Sequence, residues 1–244
     1  MADRSEIEWT EATWNPVTGC ERTSPGCDNC YALALARRLK AMGNPRYQRD
    51  GNPLRSGPGF GLQLHEDVLS IPTRWRRPRT IFVNSMSDLF QPDVPTSFIQ
   101  DVFRTMNETS RHRFQILTKR SQRLLSLASE LSWSENIWMG VSVETERYQF
   151  RIDHLREVPS AIRFLSLEPL LGPLPKLDLS EMHWVIVGGE SGPGARPIKS
   201  SWVRDIRDQC ESAGVPFFFK QWGGRTSKAG GRTLDDVIHD QLPA

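Results

Sequence analysis

Short apolar runs recur along the chain with amphipathic segments between them, and this repeat is the feature that most constrains the fold. Six of the runs begin at Thr80, Arg113, Asn136, Ile162, His183 and Pro216. They are continuous rather than alternating, which is typical of parallel strands covered on both faces. The segments between them, such as TSFIQDVFRTMNETS and KSSWVRDIRDQCESAG, have apolar residues at helical spacing. The sequence therefore predicts a repeated strand–helix unit.

The number of these units predicts the architecture. With a first strand leading into Cys20 there are about seven, and such units in one layer close fully or partly into a barrel. We predict an α/β fold, a partial or full TIM-type barrel of parallel strands, in one domain spanning residues 1–244. An open doubly wound sheet is the alternative. The length of 244 residues suits one large domain better than two.

Polar residues follow nearly every predicted strand. Active sites of βα barrels lie at the carboxyl ends of the strands, so these residues are expected to line one cavity. The clusters are Asn84, Ser85, Ser87 and Asp88; Thr118, Lys119 and Arg120; Ser142 and Glu144; Ser166 and Glu168; Gly188, Gly189, Glu190 and Ser191; and Lys220 and Gln221.

Three of the four cysteines, Cys20, Cys27 and Cys30, form a C-x6-C-x2-C pattern in the loop of residues 15–32. Thiolates bind soft metals, and a C-x2-C pair lets two sulfurs bind one metal or two corners of a cluster. Structural zinc usually takes four ligands from two such pairs, and only one pair is present. The ligand count favours a 4Fe-4S cluster in which one iron lacks a thiolate. Zinc binding and incidental or redox thiols are the alternatives.

A fourth ligand could come from His65, Cys210 or Asp28, although none has a zinc-finger spacing. Cys210 lies in a predicted helix, and we interpret it as an ordinary buried thiol.

The sequence near the amino end has no basic-then-apolar signal pattern, and no apolar stretch approaches the length of a membrane span. We therefore expect a cytoplasmic protein with no membrane partner. In a reducing compartment, clustered cysteines indicate metal binding or redox chemistry before disulfides. The net charge of +2 demands no polyanionic partner, so any basic surface must be local.

Three cysteines after the first strand of a βα barrel resemble the arrangement of the radical S-adenosylmethionine enzymes, whose usual motif is C-x3-C-x2-C. The segments SMSDLFQP (85–92), ILTKRSQRLL (116–125) and VSVET (141–145) resemble, in that order, the strand ends of the spore photoproduct lyase-like branch. With WNPVTGC, GCDNCYA and GGESGPGARP, the sequence is also similar along nearly its whole length to a phage-associated three-cysteine-motif family of unassigned function.

The resemblance implies a 4Fe-4S cluster, S-adenosylmethionine as a second cofactor, and an electron donor as a partner. It also implies a nucleic-acid substrate, with DNA lesion repair or modification as the reaction class. The positions that match the lyase-like motif are Ser85, Ser87, Asp88, Lys119 and Ser142.

In such a site the cofactor's charged groups and hydroxyls need partners. Asp88 or Glu190 would accept from its amino group, and Lys119 would pair with its carboxylate. Ser142 or Glu144 would bind the ribose hydroxyls. No catalytic residue is assigned.

The stretch VIVGGESGPGARP places Gly188, Gly189 and Glu190 after a predicted strand. It lacks G-x-G-x-x-G and G-K-[ST], so a Rossmann or P-loop site is not indicated. A GGE sequence also occurs in radical enzymes as a clamp for the cofactor's amino group, usually after the second strand rather than the sixth. We predict that these three residues face a cofactor or substrate. A tight turn with a capping glutamate is the alternative.

Two further features bear on partners. Arg74, Trp75, Arg76 and Arg77, in RWRRPR, suit phosphate contact and base stacking, and Trp222 is a second candidate for stacking. A solvated charged edge is the alternative for the arginines. The Gly/Pro-rich stretch 43–61 is longer than an ordinary connection and predicts a functional loop or lid.

The sequence therefore indicates two alternative functions. The first is a radical S-adenosylmethionine-type iron–sulfur enzyme. The second is a non-catalytic protein in which a zinc or iron–sulfur site staples the loop, while the surface binds nucleic acid or a partner protein.

Overall fold

The computed structural model describes residue 5, residues 7–226 and residues 228–243. Its strands are β1 (Ala12–Trp14), β2 (Val17–Thr18), β3 (Gln63–Leu64), β4 (Thr80–Val83), β5 (Arg113–Thr118), β6 (Ile137–Ser142), β7 (Ile162–Leu167), β8 (Trp184–Gly188), β9 (Phe217–Gln221), β10 (Thr233–Leu234) and β11 (Val237–Ile238). Its α-helices are α1 (Tyr31–Ala41), α2 (Ile71–Arg74), α3 (Thr96–Glu108), α4 (Ser121–Leu127), α5 (Phe150–Arg156) and α6 (Ser200–Ala213). Short 3-10 turns lie at Pro25–Cys27, Pro45–Tyr47, Glu66–Val68, Ala128–Glu130 and Glu146–Tyr148.

Seven strands form one parallel sheet in the order β1, β4, β5, β6, β7, β8 and β9. Each strand pairs with the next large strand along the chain. The sheet curls as a half-barrel. The predicted partial barrel is confirmed. The doubly wound alternative is wrong, because that fold needs a point where the strand order reverses, and this order has none. The predicted span 1–244 includes residues 1–4, 6, 227 and 244, which lie outside the described residues.

The helices form where the sequence has apolar residues on one face. In α3, Phe98, Ile99, Val102 and Met106 are buried at helical spacing against the convex side of the sheet. The helix α6 ends at Gly214, which adopts the left-handed conformation that favours glycine at a helix carboxyl terminus. Helices α4 and α5 are shorter than the amphipathic pattern predicts, because a 3-10 turn directly follows α4 and another lies just before α5.

Successive side chains of a strand point to opposite faces, and this alternation divides the core in two. On β6, Ile137, Met139 and Val141 pack into the main core between sheet and helices. Trp138 lies on the other, concave face in a separate cluster. The members of that concave cluster are Trp9, Phe82, Trp138, Phe164, Trp184, Ile186 and Phe218.

The concave face changes character along the strands. Aromatic side chains fill its amino half, and Gly140 makes room there, since a Cβ atom would lie 2.4 Å from the ring of Phe164. At the carboxyl end the same alternation brings Ser142, Ser166 and Gly188 to the concave face. The carboxyl end is therefore the open and polar end of the half-barrel, which we call the mouth.

The Gly/Pro-rich stretch 43–61 packs against the cysteine loop. Gly19 has a φ of +85°, and a Cβ atom there would lie 2.2 Å from the carbonyl oxygen of Gly61. The amide of Arg22 donates to the carbonyl of Arg55 at 3.0 Å. The close approach of Gly19 to the carbonyl of Gly61 requires glycine at position 19.

In the described part of the chain, none of the helices has both the length and the apolar character needed to cross a bilayer.

Candidate functional site

The cysteine loop lies across the carboxyl ends of the strands. Next to β4, Ser87 Oγ donates to the carbonyl of Gly19 at 2.6 Å. Beyond the end of β6, Ser24 Oγ donates to Glu144 Oε1 at 2.6 Å. Beyond β8, Asn29 Nδ2 donates to Glu190 Oε2 at 2.9 Å. Three separate strand ends therefore hold the loop over the mouth.

The three cysteines of the loop are free and partly buried. Burial raises the pKa of Cys20 to about 12, although the neighbouring Arg120 opposes the shift. Burial also raises the pKa of Cys30, and the backbone N–H of Ala32 opposes that shift. The proximity of Cys27 further raises the pKa of both thiols.

The donor set of the loop fits a thiolate-bound metal centre. Three free thiols lie within one short loop, and Arg120 Nη1 donates to Cys20 Sγ at 3.5 Å, which favours a thiolate there. Among the described residues, no group of three or more Cys, His, Asp and Glu side chains is already arranged as metal ligands. A thiolate metal site commonly takes its final arrangement only when the metal binds.

The candidates for a fourth ligand lie in different surroundings. Cys210 is fully buried in the main core, on the last turns of α6, which lead to the amino end of β9. It is therefore at the other end of the strands from the cysteine loop. The ring of His65 shares a hydrogen bond of 2.8 Å with Thr18. Asp28 is exposed, 3.6 Å from Arg196.

Asp88 organises the strand ends around Cys20. Its carboxylate accepts hydrogen bonds from Thr118 Oγ1 at 2.7 Å, from the amide of Lys119 at 3.1 Å and from Arg120 Nη1 at 2.9 Å. Arg120 also donates to the carbonyl of Glu21 at 2.9 Å. Asp88 is thus occupied by protein donors and orients the arginine that contacts Cys20.

Glu144 is the most buried carboxylate of the mouth. Lys119 Nζ lies 2.7 Å and Arg151 Nη1 lies 3.0 Å from its two oxygens. Burial opposes ionisation of Glu144, but the two cations outweigh burial and lower its pKa. Gly26 lies directly against it, since a Cβ atom there would be 2.5 Å from Glu144 Cγ. Lys119 and Glu144, which the sequence assigned to separate cofactor groups, are instead paired with each other.

Glu190 anchors the other side of the loop. Arg196 donates to it through its backbone amide at 2.9 Å and through its guanidinium at 3.0 and 2.6 Å. Arg196 Nη2 also donates to the carbonyl of Pro25 at 2.8 Å. Burial opposes ionisation of Glu190, but the bonds from Arg196 and Asn29 prevail and lower its pKa.

The remaining predicted cofactor residues lie at the mouth with protein partners. Ser85 Oγ donates to Asn15 Oδ1 at 3.2 Å, and the carbonyl of Ser142 accepts from Arg151. Gly189 allows close backbone packing, since a Cβ atom there would lie 2.0 Å from the carbonyl oxygen of Trp222. Gly188 faces Glu168, whose Cδ would lie 3.1 Å from a Cβ atom at position 188.

The predicted nucleic-acid residues are not brought together with the cysteines. Arg74, Trp75, Arg76 and Arg77 precede β4 and therefore lie at the amino end of the sheet, opposite the mouth. Trp222 follows β9 at the mouth. Its ring packs against Phe219 and its Nε1 donates to the carbonyl of Thr233, so a packing role already accounts for it.

Sequence reasoning missed the residues that hold the loop in place. Arg151 and Arg196 lie several residues beyond their strands, and no local spacing pairs them with Glu144 or Glu190. Ser24 and Asn29 flank cysteines and offered the one available hint, because such side chains near a metal loop commonly orient it. Arg120 was noted only as part of a polar cluster.

Comparison with solved structures shows the fold. A cysteine-to-serine mutant of spore photoproduct lyase matches with a TM-score of 0.55 at 12% identity, over 89% of this chain and 78% of that chain. A tyrosine-to-phenylalanine mutant matches with a TM-score of 0.49 at 10% identity, over 84% and 75%. A mutant with bound AdoMet and dinucleoside spore photoproduct matches with a TM-score of 0.44 at 13% identity, over 80% of this chain.

The chain spans 59% of the length of the AdoMet-bound lyase structure. At 12% identity the match with a TM-score of 0.55 shows a likeness of fold alone. No curated protein matches the sequence. The family model described as "Protein of unknown function (DUF5131)" matches residues 4–243. Because this match covers nearly the whole chain, the protein belongs to that family.

Proposed function

We propose that the chain is an iron–sulfur enzyme of the radical S-adenosylmethionine type that acts on nucleic acid. The observation that carries the proposal is the position of three free cysteines, on a loop held by three strand ends over the mouth. The fold shared with spore photoproduct lyase supports it. The resemblance of the cysteine loop and of the strand-end segments to the radical S-adenosylmethionine enzymes supports the cofactor and the substrate class.

In this proposal Cys20, Cys27 and Cys30 bind the cluster, and the mouth binds S-adenosylmethionine and substrate. When bound, the two cofactors together supply an electron and a carbon radical that abstracts a hydrogen atom. The protein's own residues hold the loop. Arg120 stabilises the Cys20 thiolate, and Asp88 fixes the guanidinium of Arg120 by a hydrogen bond.

The ion pairs of the mouth limit the roles that the strand-end residues take. Asp88, Glu144 and Glu190 are each saturated by protein donors, so we propose that they position the loop rather than contact the cofactor. Ser85, Ser87, Ser142 and the glycines Gly188 and Gly189 remain candidates for contact, although Ser87 already donates to Gly19.

The test is anaerobic reconstitution with iron and sulfide, followed by quantification of iron and of 5′-deoxyadenosine released from S-adenosylmethionine under reduction. We expect a brown protein that releases 5′-deoxyadenosine. Cys27→Ala should lose the iron, whereas Cys210→Ala should retain it, because Cys210 lies in the core behind the sheet. Equal loss of iron in both variants would contradict the three-cysteine site.

The saturation of the three carboxylates also favours a second candidate. In this second candidate a bound metal stabilises the loop, and the protein binds nucleic acid or a partner protein without catalysing a reaction. A colourless protein with one zinc per chain and no release of 5′-deoxyadenosine would support this alternative over the enzyme.

A further inference from the structure

One ion pair of the mouth differs from the others. Asp88, Glu144 and Glu190 are buried, and each accepts at least three hydrogen bonds from the protein. Glu168 accepts a single hydrogen bond among the described residues, from Lys220 Nζ at 2.6 Å. The Glu168 and Lys220 side chains are 21% and 16% exposed. Glu168 is therefore the least saturated and the most exposed of the four carboxylates.

The position of the pair follows from the alternation of the strands. Phe164 lies on the concave face of β7, so Ser166 and then Glu168, directly after the strand, point the same way. On β9, Phe218 lies on the concave face, and the register then shifts so that Gly188 pairs with Gln221. The contact of 2.6 Å with Glu168 places Lys220 Nζ on the same side. The two side chains face the mouth from strands that flank β8.

Gly188 makes the pairing across β8 feasible. It occupies the concave position between the two partners, and a Cβ atom there would lie 3.1 Å from Glu168 Cδ. A larger side chain would crowd the glutamate that reaches toward Lys220. The glycine therefore has a local role that requires no direct contact with a cofactor.

The pair retains unused hydrogen-bonding capacity. A lysine ammonium has three N–H donors, and Glu168 takes one of those of Lys220. An anionic oxygen can therefore bind the ammonium without breaking the pair, and Glu168 keeps the ammonium at the mouth. A lysine ammonium is a common point-charge ligand for phosphate.

We infer that Lys220 is a phosphate subsite of the mouth, which binds a backbone phosphate of a nucleic-acid substrate while Glu168 positions the ammonium. The inference rests on the proposed function, because the mouth is where that function places the substrate. It narrows the substrate to a phosphate-bearing one, and it locates the contact on the β7–β9 side of the mouth.

The experiment compares two fluorescent oligothymidylates of equal length, one with phosphodiester links and one with uncharged methylphosphonate links. Binding to the reconstituted protein is measured by anisotropy. Lys220→Met should weaken binding of the charged oligomer by about 10- to 100-fold, the range expected for one charged hydrogen bond, and leave the neutral oligomer unchanged. Lys220→Arg should retain most of the preference for the charged oligomer.

Lys176→Met is the matched control, because it removes an exposed lysine that lies away from the mouth and should change neither affinity. Unchanged affinity of Lys220→Met for the charged oligomer, equal losses for both oligomers, or no preference in the wild-type protein would each overturn the inference. Release of 5′-deoxyadenosine by the wild-type protein is measured separately. Its absence would reject the proposed enzyme, while the binding comparison would still decide the subsite.

Discussion

The two ends of the half-barrel are built from the same strands but carry different chemistry. At the amino end the concave face holds Trp138, Phe164 and Trp184, whose rings pack edge to face or tilted against one another. At the carboxyl end the next concave residues are serines, a glycine and paired charges. Apolar packing thus closes one end, while paired polar groups hold a loop over the other. The comparison shows that apolar packing and polar side chains are divided along the strand axis.

The largest effect is expected from breaking the amino end. Trp184 is fully buried and its ring lies 5.7 to 6.2 Å from those of Trp9, Trp138, Phe164 and Phe218. Trp184→Ala should lower the free energy of unfolding by about 4 kcal/mol, because it leaves a cavity among aromatic rings. Urea denaturation measures this.

Phe150→Ala serves as the control, since Phe150 is 47% exposed, and it should cost under about 1 kcal/mol. Equal losses from the two variants would mean that the aromatic cluster does not carry the stability of the amino end.

The next largest effect is expected in the mouth. Glu144→Gln should cost about 3 kcal/mol at neutral pH, because it leaves Arg151 and Lys119 without their buried counter-charge. The pKa of Glu144 is lowered on folding, so its ion pairs stabilise the fold above the unfolded-state pKa and are lost as pH falls through the folded-state value.

The difference in unfolding free energy between wild type and Glu144→Gln should therefore stay constant near neutral pH and shrink as the pH falls below about 4.5, the ordinary pKa of a glutamate. Chemical denaturation across this range measures it. A difference that is constant with pH would show that the cost comes from packing rather than from charge.

A smaller effect is expected where the loop meets β8. Arg196 is about one-third exposed and joins Glu190 to the carbonyl of Pro25. Arg196→Ala should lower the free energy of unfolding by about 1 to 2 kcal/mol, a small value because solvent screens this partly exposed ion pair. It should also speed amide hydrogen exchange in the cysteine loop. Arg204→Ala, which breaks an exposed pair with Asp235, is the control and should leave exchange in the loop unchanged. Unaltered exchange in Arg196→Ala would show that the other anchors suffice.

The smallest effect is expected from the basic segment at the amino end. Arg76 and Arg77 are exposed, so changing both to Gln should alter the free energy of unfolding by less than about 0.5 kcal/mol. The preference for a charged oligothymidylate should persist, because the segment lies opposite the mouth. Loss of that preference would move the nucleic-acid surface to the amino end and remove the functional division between the two ends.

The sequence was sufficient for much of the fold. Continuous apolar runs and amphipathic segments predicted the parallel strands and helices, because burial on both faces and on one face leave different periodicities in a chain. The strand-end clusters therefore identified the region of the mouth before any coordinates.

The partners of the site residues were beyond sequence reasoning. We expected Lys119 to pair with a cofactor carboxylate, and in the structure it pairs with Glu144. We expected Asp88 or Glu190 to accept from a cofactor amino group, and in the structure Asp88 pairs with Arg120 and Glu190 with Arg196. Arg151 and Arg196 pair with Glu144 and Glu190, and no local sequence pattern predicts these pairs. The pairing depends on where the curvature of the sheet places each strand end.

The amino-acid sequence by itself determined the thiol donors, the strand–helix repeat and the polar character of the strand ends, since these depend on residue type and local spacing. Only the tertiary structure decided which charges are already neutralised within the protein, and that Glu168 keeps unused acceptor capacity among the described residues. Ion pairing falls off over a few ångströms, and residues far apart in the chain reach that range only after the sheet has curled.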